Sequence, residues 1–419
     1  MKVIFVNNVQ AFAKPNYASY DTKRVQSIVN QVRKQGDAAL RRFEKKFNGV
    51  NVKTLQVSKK EIQGAYKLVT KEQLDAIRLV KTRLEKTESA IKKQLKNITI
   101  KSEGTTIEKS FIPLESVGCY VPGGLARYPS SAVMSITPAK IAGVKNIVVV
   151  TPPNKQGNID PVVLVAADIC GADKIFKVGG AQAIAALAFG TKSIPAVDKI
   201  VGPGGSFVTA AKSLIANVTS IDMLAGPTEL TIIADDSANP KLVALDLISQ
   251  SEHSTDTSCY LITTSKTLAG RVIDIIKKRA PSLKRKEIVE SSLKKNGAVF
   301  VCKKVSDAIS VANNLAPEHL QIITKNPNQI AKQIKNAGLV LIGQDTPSAA
   351  SDYLLGTNHI LPTNRFGKSR GSLSVLDFVK IKTSVESSKP ALKRIGRNLQ
   401  VLTKSENLPN HYEAVRSRL

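Results

Sequence analysis

Only four histidines occur in the 419-residue chain, and each stands among residues that could share chemistry with it. They are His253 in Ser249-Gln-Ser-Glu-His, His319 in Ala316-Pro-Glu-His, His359 in Gly356-Thr-Asn-His, and His411 near the C-terminus. Gln250 and His253 are three apart in a segment of helical texture, so both side chains are expected on one helix face. Such a pair can ligate a metal through an amide oxygen and an imidazole nitrogen. It can equally be a histidine capping the carbonyls of a helix end, and both readings stay open. Glu318 and His319 follow Pro317 just before a strand-like run. On an extended segment they would face opposite ways. At a turn they would converge and offer two proton acceptors of different basicity. Asp352 and His359 flank a glycine in a polar loop, where sites tend to accumulate.

Glycine turns form the second group. Pro122-Gly-Gly, Val178-Gly-Gly and Gly202-Pro-Gly-Gly each close a strand-like run. None fits G-x-G-x-x-G, and no Walker A motif is present, so neither phosphate-binding signature applies. Singly, each suits the geometry of helix entry. Three in one unit, with Tyr120 and Gln182 expected as exposed polar neighbours, point to a nucleotide cleft at strand C-termini.

These residues need elements to position them. Residues 20–100 have helical spacing, with Val25, Ile28, Val29 and Val32 on one stripe and a long amphipathic segment expected from Lys59 to Leu95. From Pro113 the texture becomes alternating strand and helix. Ser116–Val121, Asn146–Val150, Asp173–Val178 and Lys199–Val201 read as strands of a first unit. Leu230–Ala234, Cys259–Thr263, Ala298–Cys302, Leu320–Thr324 and Leu339–Ile342 continue the series. The expected fold is therefore α/β, with two doubly wound parallel-sheet units. The expected division is a mainly helical region at 1–112, α/β units at 113–235 and 236–375, and a helical tail at 376–419.

Composition narrows the function classes. The chain carries 61 Lys+Arg against 33 Asp+Glu, a net charge of +28, which could attract nucleic acid or anionic substrates. The basic residues are dispersed, there is no tryptophan, and no zinc-finger spacing accompanies them, so a lysine-rich solvated surface is the expectation. No apolar run approaches the ~18 residues of a membrane span. The N-terminal apolar stretch is too short for a signal peptide. Cys119, Cys170, Cys259 and Cys302 form no CxxC pair and read as reduced thiols of a cytoplasmic protein.

Taken together, several long motifs resemble the histidinol dehydrogenase family from about residue 20 to the end. They are Tyr120-Val-Pro-Gly-Gly, Val178-Gly-Gly-Ala-Gln-Ala-Ile-Ala-Ala-Leu-Ala-Phe-Gly, Gly202-Pro-Gly, Asp222-Met-Leu-Ala-Gly-Pro-Thr-Glu, Asp246-Leu-Ile-Ser-Gln-Ser-Glu-His, Ala316-Pro-Glu-His-Leu and Asp352-Tyr-Leu-Leu-Gly-Thr-Asn-His-Ile-Leu-Pro-Thr. The resemblance implies an aldehyde-dehydrogenase-like architecture and NAD-linked oxidation of L-histidinol through histidinaldehyde to L-histidine. It implies zinc held by Gln250, His253, Asp352 and His411, a set of nitrogen and oxygen donors compatible with that ion and permissive to manganese or cobalt. Glu318 and His319 match the acid–base pair. Thr228, His359 and Glu406 match substrate-contacting positions, alongside His319 and the zinc-binding set. Tyr120 and Gln182 match NAD contacts, and Gly205 stands where the family has an asparagine touching NAD. Loss of that hydrogen bond, about 0.5–1.5 kcal/mol, implies weaker NAD binding. His411 lies where chains usually fray, and the resemblance implies that it docks onto the second subunit of a homodimer with shared sites. Two rivals remain: an aldehyde dehydrogenase using Cys119 or Cys259 as a thioester-forming nucleophile, and a basic nucleic-acid-binding protein.

Overall fold

Runs such as Asn146–Thr151 and Gly297–Val301 stay apolar at successive positions, so both faces of each strand must be covered. The computed structural model, which describes residues 1–6, 21–123 and 127–419, shows how. Ile147 and Val149 point into one apolar cluster with Leu84, Val133 and Val163. Val148 and Val150 point into another with Val25, Leu40, Ile184 and Ala210. Helices therefore pack on both faces of a parallel sheet.

That sheet is built from β4 (Ser116–Tyr120), β5 (Asn146–Thr151), β6 (Lys174–Lys177), β7 (Lys199–Val201) and β8 (Ser220–Ile221), in the order β6-β5-β4-β7-β8. A second parallel sheet has the order β1-β11-β10-β9-β12-β13. Its strands are β1 (Lys2–Phe5), β9 (Glu229–Ala234), β10 (Ser258–Thr263), β11 (Gly297–Val301), β12 (His319–Ile323) and β13 (Leu339–Ile342). Leu230, Ile232 and Ala234 of β9 pack on helices Pro240–Ser251 and Lys266–Arg279. Ile233 packs on the other side with Ile309 and Ala312 of helix Val305–Leu315. The two doubly wound parallel units are present.

Three differences from the sequence reading stand out. The strand at 229–234 is central in the second sheet, so a boundary at 235 would leave it in the wrong unit; its pairing with β10 and β12 moves the division upstream. The regions read as helical also contain strands. β1 joins the second sheet beside β11, while β2 (Ile98–Ser102), β3 (Thr105–Pro113) and β14 (Val379–Ser387) form a separate antiparallel sheet. Helices Lys389–Ser405 and Pro409–Arg416 follow. Finally, the segment expected as one helix is two, Lys59–Tyr66 and Lys71–Lys92. Thr70 starts the second by accepting the Gln73 N–H while the Gln73 side chain accepts the Thr70 N–H, a reciprocal cap that fixes a new N-terminus. None of the described helices is long and apolar enough to cross a membrane.

The end of β7 is held tightly. Gly202 has φ +111°, and a Cβ there would lie 2.1 Å from the Tyr120 carbonyl oxygen. Buried Lys212 donates to the Gly202 carbonyl and to Asp222, whose other carboxylate oxygen accepts the Gly202 N–H at 2.8 Å. Gly202→Ala is expected to cost about 3 kcal/mol from backbone strain and overpacking. Urea unfolding followed by circular dichroism would show it; a midpoint equal to wild type would reject the constraint.

Candidate active site

A cavity of about 340 Å³ opens where the two parallel sheets meet. Pro122 after β4 and Pro203, Gly204 and Gly205 after β7 contribute the first sheet's C-terminal edge. Strands β4 and β7 are neighbours whose outer partners, β5 and β8, lie on opposite sides, the switch point at which open sheets bind ligands. From the second sheet come Thr228, just before β9, and Glu318 and His319, at the beginning of β12. The cavity thus joins strand ends of opposite sense.

Glu318 and His319 converge instead of facing apart, because the turn after Pro317 delivers both to the cavity wall. Both are buried. Glu318 Oε2 accepts the Thr228 hydroxyl proton and the Glu229 N–H, the latter at 2.8 Å. Thr228 Oγ1 in turn accepts from Gln250 Nε2 at 2.7 Å. His319 Nδ1 donates to the Glu229 carbonyl at 3.3 Å and lies 3.6 Å from Glu318 Oε2. Its Nε2 lies 3.4 Å from Asp352 Oδ1, yet makes no hydrogen bond among the described residues. Burial disfavours a charge on His319, but Glu318 and Asp352 outweigh it and push the pKa up to about 10. For Asp352, burial raises the pKa; His319 first, then His359 and His253, overcome it and hold the carboxyl below its ordinary range.

His359 is oriented by both ring nitrogens. Nδ1 donates to the Asp352 carbonyl at 2.7 Å, and Nε2 lies 3.2 Å from the Ser131 hydroxyl. Burial lowers its pKa despite Asp352, which favours a neutral ring. Gln250 sits in the last turn of helix Pro240–Ser251 and is buried; Ser348 Oγ donates to its Oε1 at 3.4 Å. His253 does not share that helix, contrary to the spacing argument. It stands past the helix end, and its Nδ1 donates to the Gln250 carbonyl at 3.1 Å. The carbonyl-capping and the ligand readings are therefore compatible: the cap fixes the ring while His253 still lines the cavity.

Gln250, His253 and Asp352 reach one cavity; His411 and Glu406 do not. Both of the latter are exposed in the C-terminal tail. Three nitrogen and oxygen donors converge, a set chemically suited to a borderline divalent cation. Among the described residues, however, no group of three or more His, Cys, Asp or Glu side chains is arranged to hold a metal ion.

The expected NAD contacts need correction in one respect. Tyr120 and Gln182 are buried, not exposed. The Tyr120 hydroxyl accepts the Gly180 N–H at 3.1 Å. Glu44, fully buried, accepts from Gln182 Nε2 at 2.9 Å and the Gly179 N–H at 3.0 Å. Tyr120 and Glu44 thus accept the two amides of the Gly179-Gly180 turn, which would otherwise be left unpaired on a buried strand end, and Gln182 holds Glu44 in place. Gly205 does line the cavity as the N-cap of helix Ser206–Ile215, and nothing lies within 4 Å of a Cβ placed there. An asparagine would fit.

Sequence reasoning missed Glu44, Ser131, Ser348 and Glu229. Only Glu229 carried a signal, as the last residue of the quoted Asp222–Glu229 motif. Burial first, then the neighbouring Glu318 carboxylate, raises its pKa to about 7.

The family model described as "Histidinol dehydrogenase" matches residues 14–419. A histidinol dehydrogenase of Clostridium acetobutylicum is 44% identical, over 94% of this chain and 92% of its own length. One from Halalkalibacterium halodurans is 41% identical over 100% and 99%. The crystal structure of histidinol dehydrogenase from Elizabethkingia anophelis matches with a TM-score of 0.93 at 34% identity, covering 100% of this chain and 98% of that one.

A thiol nucleophile has no support in this arrangement. Cys119 and Cys259 are fully buried, neither lines the cavity, and burial pushes the Cys119 thiol up to about 12 and Cys259 higher still. Cys119→Ser and Cys259→Ser should each keep dehydrogenase activity within about twofold once folding is verified, since a nucleophile's loss costs far more. A collapse of turnover in a folded variant would restore the thioester route.

Proposed function

The chain belongs to the histidinol dehydrogenase family of oxidoreductases, and from that membership we propose that it oxidises L-histidinol through histidinaldehyde to L-histidine, with NAD and a divalent cation, zinc foremost. The observation that carries this reading is the convergence of Gln250, His253 and Asp352 on one cavity with the Glu318–His319 pair. When bound, the cation would hold the substrate's imidazole and amino nitrogens, and NAD would accept one hydride in each oxidation.

The chain's own groups account for the proton chemistry. His319 commits its Nδ1–H to the Glu229 carbonyl, so Nε2, near Asp352 but without a hydrogen bond among the described residues, can receive the hydroxyl proton. Its high pKa comes from Glu318 and Asp352. With Asp352 engaged as a ligand, the imidazole loses part of that pull and can serve as a base. Glu318, steadied by Thr228 and the Glu229 N–H, takes a proton from water as the water oxygen bonds to the aldehyde carbon, and the carbonyl oxygen, its π bond broken, takes the proton that His319 received. The hydrate then loses its hydride and leaves as the carboxylate. His359, neutral and fixed by Ser131 and Asp352, is positioned as a substrate contact. Gly205 lacks the side chain that would contact NAD, and weaker NAD affinity follows from this reading.

We assign Glu406 and His411 to the site of a second copy, in a cytoplasmic homodimer. Two observations support this. The cavity gathers only three of the four expected metal ligands from its own chain. The tail also carries uncovered apolar side chains, with Val401 60% and Leu402 59% exposed, and Ile381 and Val385 on β14 are exposed as well.

Histidinol supplied with excess NAD should yield two NADH per substrate, and a chelator should abolish the reaction until zinc is restored. A yield of one NADH, or indifference to the chelator, would overturn the four-electron or the metal-dependent part respectively. Mixing His411→Ala with His319→Ala subunits should restore one working site per mixed dimer, roughly half of wild-type turnover. No recovery in verified heterodimers would reject shared sites.

A further inference from the structure

We infer that Glu229 is a positioning residue for Glu318, clamping main chain and side chain of the water-activating glutamate through a reciprocal pair of hydrogen bonds. The inference rests on the role proposed for Glu318 and extends it to a residue outside the cavity wall.

Strands β9 and β12 pair in parallel, with His319 opposite Leu230. One position earlier, at the N-terminal ends of these two strands, Glu318 and Glu229 are neighbours. The Glu229 N–H donates to Glu318 Oε2 at 2.8 Å, and the Glu318 N–H donates to Glu229 Oε2 at 3.2 Å. Each carboxylate thus satisfies the other residue's backbone. The second oxygen of Glu229 accepts the Asn364 N–H at 3.1 Å, tying the pair to the loop after Pro362. That loop is itself fixed: Thr363 Oγ1 accepts the Gly226 N–H at 2.6 Å.

Two half-buried or buried carboxylates side by side repel, and a bland sheet edge would not pair them. The arrangement becomes intelligible if the Glu229 side chain fixes the Glu318 backbone, from which the carboxylate is aimed, while the Glu229 N–H holds the carboxylate itself. Glu229 does not line the cavity, so it acts through Glu318 and not on substrate. Reach matters here more than charge, because the bond to the Glu318 N–H requires the full glutamate length. Misplacing a catalytic group by about 1 Å can cost on the order of a hundredfold in rate.

The test separates the two oxidations in the zinc-loaded enzyme. Glu229→Ala and Glu229→Asp should lower kcat for added histidinaldehyde by roughly tenfold to a hundredfold, with KM for the aldehyde within about twofold. The first hydride transfer from histidinol, read in single turnover, should stay within about threefold. Glu229→Gln keeps the length and one acceptor oxygen for the Glu318 N–H, while its NH2 cannot accept the Asn364 N–H, and should recover the aldehyde step in part. Equal losses in both oxidations, an Asp variant as fast as wild type, or a Gln variant as slow as Ala would each overturn the clamp. Should the Ala variant fail to fold, the contrast between Gln and Asp decides. Glu318→Gln is the companion measurement. If it leaves aldehyde oxidation intact, the role of Glu318 falls. If it slows that step while Glu229→Ala and Glu229→Asp do not, only the clamp falls.

Discussion

Parallel pairing of β9 with β12 is the constraint from which the site follows. The register that sets His319 opposite Leu230 brings Thr228 and Glu229 alongside Glu318, although about ninety residues separate them in the chain. Slipping that register by one residue would turn the alternate side chains to the opposite face and take Glu318 and His319 out of the cavity. The pairing is itself secured by burial on both sides. Ile232 and Ile233 of β9 enter different apolar clusters, and Leu320 and Ile322 of β12 are fully buried. The chemistry therefore stands on a strand pair that has little freedom to move.

Around that pair, the cavity concentrates ionisable groups at unusual density. Glu318, Asp352, His319 and His359 all line it, and Glu229 lies directly behind. The Glu229 N–H and the Thr228 hydroxyl orient Glu318, Ser131 orients His359, and Ser348 orients the neighbouring Gln250. His319 shows the principle. One ring nitrogen is committed to a carbonyl, and the other, 3.4 Å from Asp352 Oδ1, makes no hydrogen bond among the described residues. A buried nitrogen without a hydrogen bond is costly in a protein interior, and a polar ligand entering the cavity would relieve that cost.

Much of the architecture was legible because strands buried on both faces are written as contiguous apolar runs, as in Asn146–Thr151. The antiparallel sheet escaped detection for the opposite reason. Val379–Ser387 is exposed along nearly its whole length and interleaves Lys, Thr, Ser and Glu with its apolar residues, which blends into the polar texture of a tail. The residue types of the site were legible as motifs. Their mutual geometry was not, since Gln250, Thr228 and Glu318 form a hydrogen-bonded chain only after the second sheet assembles. Tyr120 and Gln182 were misread as exposed because a glycine turn's demand for hydrogen-bond partners leaves no trace in spacing. Glu229 was visible in its motif, but nothing in a linear reading pairs it with Glu318.

The junction of a C-terminal strand edge with an N-terminal one has an electrostatic consequence. Helices Pro129–Ala142 and Ser206–Ile215 present their N-termini to the cavity, through Ser130, Ser131 and Gly205. Helix Pro240–Ser251 presents its C-terminus, through Gln250 and His253. Peptide dipoles make the first wall electropositive and the second electronegative. The cleft is thus polarised from side to side: phosphate groups are drawn to one wall and cations or ammonium groups to the other. Two partners of opposite charge entering such a cleft would be sorted before any side chain touched them.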